Sequence, residues 1–114
     1  MNRRSIGKIG EDMAAAFLEN KGIVILERNY RNRCGEIDII AMEQDVLLFI
    51  EVKYRKNQKF GYPLESVGIS KQEKIKHIAL YYLKEKPLYM GSEIRFDCIG
   101  IMESGIEWIK GAFY

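Results

Sequence analysis

The spacing of apolar residues changes from helical to strand-like at Gly22, and this change limits the fold more than any other feature of the sequence. Before Gly22, apolar residues recur at steps of three and four, the spacing of one helical face, at Ile6, Ile9, Met13 and Phe17. This pattern predicts a helix from about Ser5 to Lys21. Gly22 stands where a residue in the left-handed conformation commonly ends a helix. After Gly22 the period becomes two, which is typical of strands.

Three strands are predicted between the first helix and the middle of the chain. The runs of alternating or continuous apolar residues that predict them are Ile23–Leu26, Glu36–Met42 and Val46–Tyr54. A short polar connection separates the second run from the third, which is the pattern of an antiparallel hairpin. The first run fades into a polar stretch, 28–33, before Gly35 breaks the chain.

The second half of the chain predicts a long loop, a second helix and further strands. The segment Arg55–Ile69 contains glycine and proline and is predicted to be the loop. A capping-box pattern at Ser70–Glu73 predicts the start of a helix that ends near Pro87. Alternation then predicts a strand over Glu93–Met102 and a last edge strand over Ile106–Phe113. The order α-β-β-β-α-β, with a final strand, predicts one α/β domain over residues 1–114, in which helices flank a mixed sheet.

Length and composition exclude several classes of protein. The chain has 114 residues, of which 47% are hydrophobic and 30% charged, so one domain with a real core is expected and a disordered chain is excluded. No apolar stretch is long enough to cross a bilayer, and the first residues form neither a signal core nor a lipidation motif. The cytoplasm is therefore the expected compartment. Two cysteines and one histidine exclude a disulfide framework and a histidine-rich zinc site.

The third predicted strand, Val46–Tyr54, carries the residues that suggest chemistry. Alternation places Glu51 and Lys53 on one face, and pairing about a turn near residue 44 brings Asp38 close to Glu51. Two carboxylates and an ammonium would then meet inside an otherwise aliphatic sheet. Magnesium prefers one or two carboxylates together with water and phosphate oxygens, and a lysine beside it can stabilise charge that grows in a transition state. The alternative is a structural salt-bridge cluster made by the same three side chains.

Two segments, Gly35–Ile40 and Phe49–Arg55, resemble the D…E-x-K signature of restriction-endonuclease-like nucleases. They are most similar to the archaeal Holliday-junction-resolvase branch of that superfamily. Nearly the whole chain also resembles the small bacterial YraN-like family. The segments that carry this second resemblance are Gly10-Glu11, Arg28–Arg31, Phe60–Pro63 and Arg95–Asp97.

The resemblance implies a restriction-endonuclease-like fold and a metal-dependent DNA endonuclease that hydrolyses phosphodiester bonds in branched or single-strand-containing DNA. It implies that Asp38 and Glu51 bind Mg²⁺ or Mn²⁺, with the Val52 carbonyl as a further ligand. Lys53 would take the role of the catalytic lysine. Glu11 is either an additional acid of the site or a solvated charge on the first helix. Because resolvase-like relatives are dimers, a homodimer is a further expectation.

Basic residues flank the expected site on both sides in the sequence. The segment Lys53–Lys76 contains seven basic residues against two acidic ones, and a second basic cluster precedes the strand of Asp38. Nucleic-acid binding is therefore predicted for Arg28, Arg31, Arg55, Lys56, Lys59, Lys71 and Lys74. Lys71 also occupies a helix start, where relatives place polar residues near the site. Glu36 is expected to pair with a nearby arginine.

Two other functions stay open on the sequence alone. A non-catalytic nucleic-acid-binding module of the same fold would use the basic residues and would not cut DNA. An interaction protein would use the acidic cluster only to hold its fold together. The loop residues Phe60 and Tyr62 fit either reading, since they could stack on an unpaired base or pack on the core.

Overall fold

The computed structural model describes residues 3–54 and 68–113, without the side chains of residues 3–6. Its elements are α1 Arg3–Asn20, β1 Val24–Asn32, β2 Gly35–Glu43, β3 Val46–Tyr54, α2 Ile69–Glu85, β4 Glu93–Met102 and β5 Gly105–Phe113, with a short 3-10 turn at Pro87–Tyr89. The predicted α-β-β-β-α-β order and the final strand are confirmed. Most of the predicted loop lies outside the described residues, together with Arg55, Lys56, Lys59 and Phe60–Pro63.

The five strands form one mixed sheet in the order β1-β2-β3-β4-β5. The first three strands are an antiparallel meander, β3 and β4 are parallel, and β5 returns antiparallel to β4 at the edge. A parallel pair needs a crossover connection, and the chain that includes α2 makes that crossover between β3 and β4. The structure therefore confirms an α/β fold in which β3 is the central strand.

Apolar side chains cover both faces of the sheet. The face under α1 is closed by a buried cluster that includes Ala14, Leu18, Ile39, Ile50 and Ile99. The face under α2 is closed by a second cluster that includes Ile37, Phe49, Ile75, Ile78 and Tyr82. β3 supplies residues to both clusters because successive side chains of a strand point to opposite faces. Any polar side chain on β3 is consequently covered by a helix or lies close to one.

The two helices begin and end for different local reasons. Gly22 follows α1 with φ +83°, as the sequence predicts for a left-handed residue at a helix end. The capping box expected at Ser70–Glu73 is wrong, because α2 already includes Ser70. Its N-cap residue is Gly68, and no side-chain cap hydrogen bond is made there. Neither helix in the described part of the chain is both long and apolar enough to cross a membrane.

Gly35 allows β2 to start directly against α2. Its φ of +142° is strained for any residue with a side chain, and a Cβ built on it would lie 3.3 Å from Ile78 Cδ1. The close approach packs the middle of α2 against the start of β2, the strand that carries Asp38.

Candidate functional site

Asp38 and Glu51 meet where β2 pairs with β3. Ile39 pairs with Ile50, so the next step along these antiparallel strands sets Asp38 against Glu51. The Val52 N–H donates to Asp38 Oδ2 at an N···O distance of 2.7 Å, which ties this carboxylate to β3. The predicted pairing about a turn near residue 44 is confirmed, and the two carboxylates are cross-strand neighbours.

The alternation of side chains in β2 slips by one position at Asp38. Ile37 packs in the cluster under α2, whereas Ile39, two residues further on, packs in the cluster under α1. Asn29 lies between the β1 residues that pair with these two isoleucines, and it has a φ of +52°. Asp38 therefore lies at the position where the alternation of β2 side chains between the α1 face and the α2 face is interrupted. The charges of Glu51, on β3, and of Glu11, on α1, both act on it.

Two lysines hold the Glu51 carboxylate, which is only 6% exposed. Lys71 Nζ lies 2.9 Å from Glu51 Oε1, and Lys53 Nζ lies 3.8 Å from the same oxygen. Lys53 is two residues along β3, on the face that alternation predicts. Lys71 comes from the first turn of α2. Sequence reasoning missed its contact with Glu51, because the contact depends on how α2 packs over the sheet; the polar helix start was the one available signal.

The two carboxylates repel each other at a position where burial leaves little water to screen them. Burial first, and then the charge of Glu51, raise the pKa of Asp38 from 3.8 to about 7. The Val52 N–H and the charge of Lys71 act in the opposite direction. Burial works to lower the pKa of Lys71, but the hydrogen bond and charge of Glu51 outweigh it and hold that pKa above its usual 10.5. A further cation between the carboxylates would relieve their repulsion and favour the charged form of Asp38.

The donor set fits a magnesium or manganese ion. Asp38 and Glu51 offer hard carboxylate oxygens from adjacent strands, and magnesium is commonly held by one or two carboxylates with water and phosphate oxygens. Within residues 3–54 and 68–113, no group of three or more His, Cys, Asp or Glu side chains could hold a metal. That observation excludes, for this part of the chain, a structural zinc site made wholly of side chains. It is compatible with a two-carboxylate magnesium site.

Glu11 reaches the same region from α1. Its charge raises the pKa of Asp38, so the structure brings it into the electrostatic surroundings of the carboxylate pair. It is partly exposed and lines a cleft of about 470 Å³ together with Gly7, Lys8 and Asn29. Of the two readings that the sequence left open, this position favours an acid at the border of the site.

The basic residues predicted to bind nucleic acid lie in different settings. Arg28 is paired with Asp12 of α1. Arg31 lies 3.4 Å from Glu36, which confirms the expected arginine partner of that glutamate. These exposed ion pairs are weak, so a phosphate can replace the carboxylate at little cost. Lys74 lines a cavity of about 630 Å³ at the start of α2, and Lys71 lines the same cavity.

A second buried carboxylate, Asp97 of β4, shows what a structural acid looks like in this protein. It is fully buried and accepts hydrogen bonds from the Arg95 guanidinium, the Trp108 indole N–H and the Gly111 backbone N–H, all at 2.8–2.9 Å. Asp97 is therefore neutralised by an arginine and saturated with donors. Asp38 and Glu51 differ, since no arginine among the described residues contacts either of them.

Fold and site together define the class of this protein. It is an α/β domain whose mixed five-stranded sheet lies between two helices, with a partly buried cluster of two carboxylates and two lysines where the central strand meets its hairpin partner. Residues 10–101 match the model of a family described as "Uncharacterised protein family UPF0102".

Relatives in several bacteria match nearly the whole chain. A UPF0102 protein of Dictyoglomus turgidum is 52% identical over 104 residues, which are 91% of this chain and 87% of the relative. A UPF0102 protein of Fusobacterium nucleatum is 47% identical, with 96% of this chain and 92% of the relative covered. A UPF0102 protein of Clostridioides difficile is 47% identical, with 99% and 100% covered. The chain belongs to the UPF0102 family, which confirms the YraN-like resemblance.

Proposed function

We propose that this protein is a metal-dependent endonuclease that hydrolyses phosphodiester bonds of DNA. The observation that carries the proposal is that Asp38 and Glu51 face each other across β2 and β3, with Lys53 beside Glu51. Unlike Asp97, neither carboxylate contacts an arginine among the described residues. A buried pair of carboxylates is costly unless it serves a ligand or is compensated. The family resemblance, with its D…E-x-K pattern, points to the same chemistry.

Asp38 and Glu51 would hold one Mg²⁺ or Mn²⁺ ion, which would polarise the phosphate and lower the pKa of a bound water. Lys53, on the face of β3 that carries Glu51, would orient the attacking water and stabilise the charge that grows on the phosphate. Glu11 would stand at the border of the site. The Val52 N–H fixes the orientation of Asp38, so that the metal-binding oxygen needs no reorganisation.

The DNA backbone would lie along the basic residues that flank this site. These residues are Arg28, Arg31, Lys71 and Lys74 in the described part of the chain, and Arg55, Lys56 and Lys59 outside it. Branched or single-strand-containing DNA is the proposed substrate class, by analogy with resolvase-like nucleases. The same analogy supports a homodimer, which would cut two strands. The cytoplasmic location is proposed on the sequence alone, because no apolar stretch is long enough to cross a bilayer.

A non-catalytic DNA-binding module is the second candidate, and one observation favours it. Lys53 and Lys71 already balance the two carboxylates in number of charges, so the cluster could persist as a structural feature without a metal. This candidate predicts salt-sensitive DNA binding that is lost on charge reversal at Lys71 and Lys74. It also predicts that no divalent metal will support cleavage.

A cleavage panel separates the two candidates and identifies the substrate class. End-labelled linear, flapped, forked and four-way DNA would be incubated with the full chain in Mg²⁺, Mn²⁺ or EDTA. We expect cleavage of at least one branched form in either metal, and a loss of about 10²–10³-fold in rate for Lys53→Ala. Lys76→Ala is the matched control, because Lys76 pairs with Glu73 on α2 and not with Glu51. Full activity of Lys53→Ala would contradict the assignment.

A further inference from the structure

We propose that Lys71 is a removable cation, which holds the Glu51 oxygen until a divalent metal takes its place. Binding of the metal and formation of the Lys71–Glu51 ion pair would then exclude one another. This inference rests on the proposed function, because it assumes that Asp38 and Glu51 hold the metal. It adds to that function a competition between a side chain of the protein and its metal.

The charges of the cluster require such an exchange. When both are ionised, Asp38 and Glu51 supply two negative charges, and Lys53 and Lys71 supply two positive ones, so the charges of these four side chains sum to zero. A divalent ion added to this arrangement would leave a net charge of plus two around Glu51, which is only 6% exposed. Like charges in a desolvated position repel strongly. One ammonium must therefore withdraw before the metal is well bound.

Lys71 is the ammonium that can withdraw. Lys53 stands on the central strand, two residues from Glu51 and on the same face, and its side chain is 19% exposed. Lys71 stands on the first turn of α2, and its side chain is 43% exposed although its Nζ reaches Glu51 Oε1 at 2.9 Å. Greater exposure and a position on a helix rather than on the central strand give Lys71 more room to move than Lys53 has.

The structure also provides a place for the displaced ammonium. Lys71 lines the cavity of about 630 Å³ at the start of α2, which is walled by Cys34, Ile75 and Ile78 and also bordered by Lys74. Because Lys71 already lines this cavity, a rotation about its side-chain bonds would carry Nζ away from Glu51 and towards the cavity. There it would stand beside Lys74, in position to contact a phosphate of bound DNA.

The test is a calorimetric titration of the full chain with Mn²⁺, which measures the affinity of the protein for the metal. We expect Lys71→Gln to bind Mn²⁺ about tenfold more tightly than the wild type, since the metal no longer competes with an ammonium. Lys74→Gln is the matched control. It removes the same charge from the same helix and cavity, but Lys74 makes no ion pair with Glu51 among the described residues, so its effect should stay within about twofold. Equal or weaker binding by Lys71→Gln, compared with Lys74→Gln, would overturn the proposal.

Two further variants test the charge at position 71 and the metal site separately. Lys71→Arg retains the charge and can donate two N–H groups to Glu51. It should therefore fold, and it should bind Mn²⁺ more weakly than Lys71→Gln. A Lys71→Arg variant that binds as tightly as Lys71→Gln would also contradict the proposal. Glu51→Gln tests the metal site itself. If wild type and Glu51→Gln bind Mn²⁺ alike, the proposed function fails; if only the Lys71 variants behave unexpectedly, the exchange alone fails.

Discussion

Replacing Asp38 with Asn should stabilise the folded protein in EDTA at pH 8, because the change removes a carboxylate charge that the fold balances poorly. Burial, and then the charge of Glu51, raise the pKa of Asp38 from 3.8 to about 7. The new amide keeps an oxygen that can accept the Val52 N–H, so the link between β2 and β3 is preserved. The substitution therefore isolates the cost of the charge.

The raised pKa of Asp38 gives both the sign and the size of this effect. The folded chain keeps a proton on Asp38 up to about pH 7, whereas the unfolded chain releases it near pH 3.8. Below pH 3.8 Asp38 is protonated in both the folded and the unfolded chain, and it costs the fold no stability. The folded protein loses stability as the pH rises from 3.8, and the loss is complete once the pH has risen through 7. The difference between about 7 and 3.8, at about 1.4 kcal/mol for each pKa unit, sets an upper limit of about 4 kcal/mol. Because the amide that replaces the carboxylate is itself polar and has its own cost of burial, we expect about 2 kcal/mol at pH 8.

Urea unfolding followed by circular dichroism measures this difference directly. Wild type and Asp38→Asn would be compared in EDTA at pH 5 and at pH 8, so that the pH dependence shared by all other groups cancels. The variant should gain stability over the wild type as the pH rises. Glu36→Gln is the control, because it neutralises an exposed carboxylate two residues away on the same strand. An Asp38→Asn variant that is no more stable than wild type at pH 8, with an unchanged pH slope, would refute the reasoning.

Two further predictions concern the fold around the site. Gly35→Ala should lower the free energy of unfolding in urea by about 2 kcal/mol, because it combines a φ of +142° with a Cβ 3.3 Å from Ile78. The control is Gly7→Ala, which should cost no stability in the same assay because nothing lies within 4 Å of the added Cβ. Asp97→Asn should cost about 3 kcal/mol, because it leaves the Arg95 guanidinium without its bidentate partner, and thermal melts would show it. A cost below about 0.5 kcal/mol for Gly35→Ala or for Asp97→Asn would contradict the corresponding prediction.

The core of the site could be predicted from the sequence because its interactions are local along the chain. The hairpin of β2 and β3 has a short turn, so the pairing of Asp38 with Glu51 follows from counting residues about that turn. The alternation of β3 placed Lys53 on the face of Glu51 for the same reason. The slip of alternation at Asp38 could not be predicted, because it depends on a backbone irregularity shared with Asn29 of the neighbouring strand.

The contacts of α2 could not be predicted, because they join elements far apart in the sequence. The positive charge of Lys71 could pair with a phosphate or with a carboxylate. Its pairing with Glu51 follows from the way α2 packs on the sheet, which the sequence does not reveal. The helix start illustrates the limit of local patterns. Ser70 and Glu73 fit the capping-box spacing, yet α2 begins one residue before Ser70, so the pattern falls inside the helix.

The measurement that tests the central claim most directly is cleavage of flapped and four-way DNA by wild type and Asp38→Asn, side by side, in Mg²⁺, in Mn²⁺ and in EDTA. Wild type should cleave in either metal and not in EDTA. Asp38→Asn should be inactive in all three, although it is the more stable protein at pH 8 in EDTA. Cleavage at full rate by Asp38→Asn, or no cleavage of any substrate by folded wild type in either metal, would contradict the account.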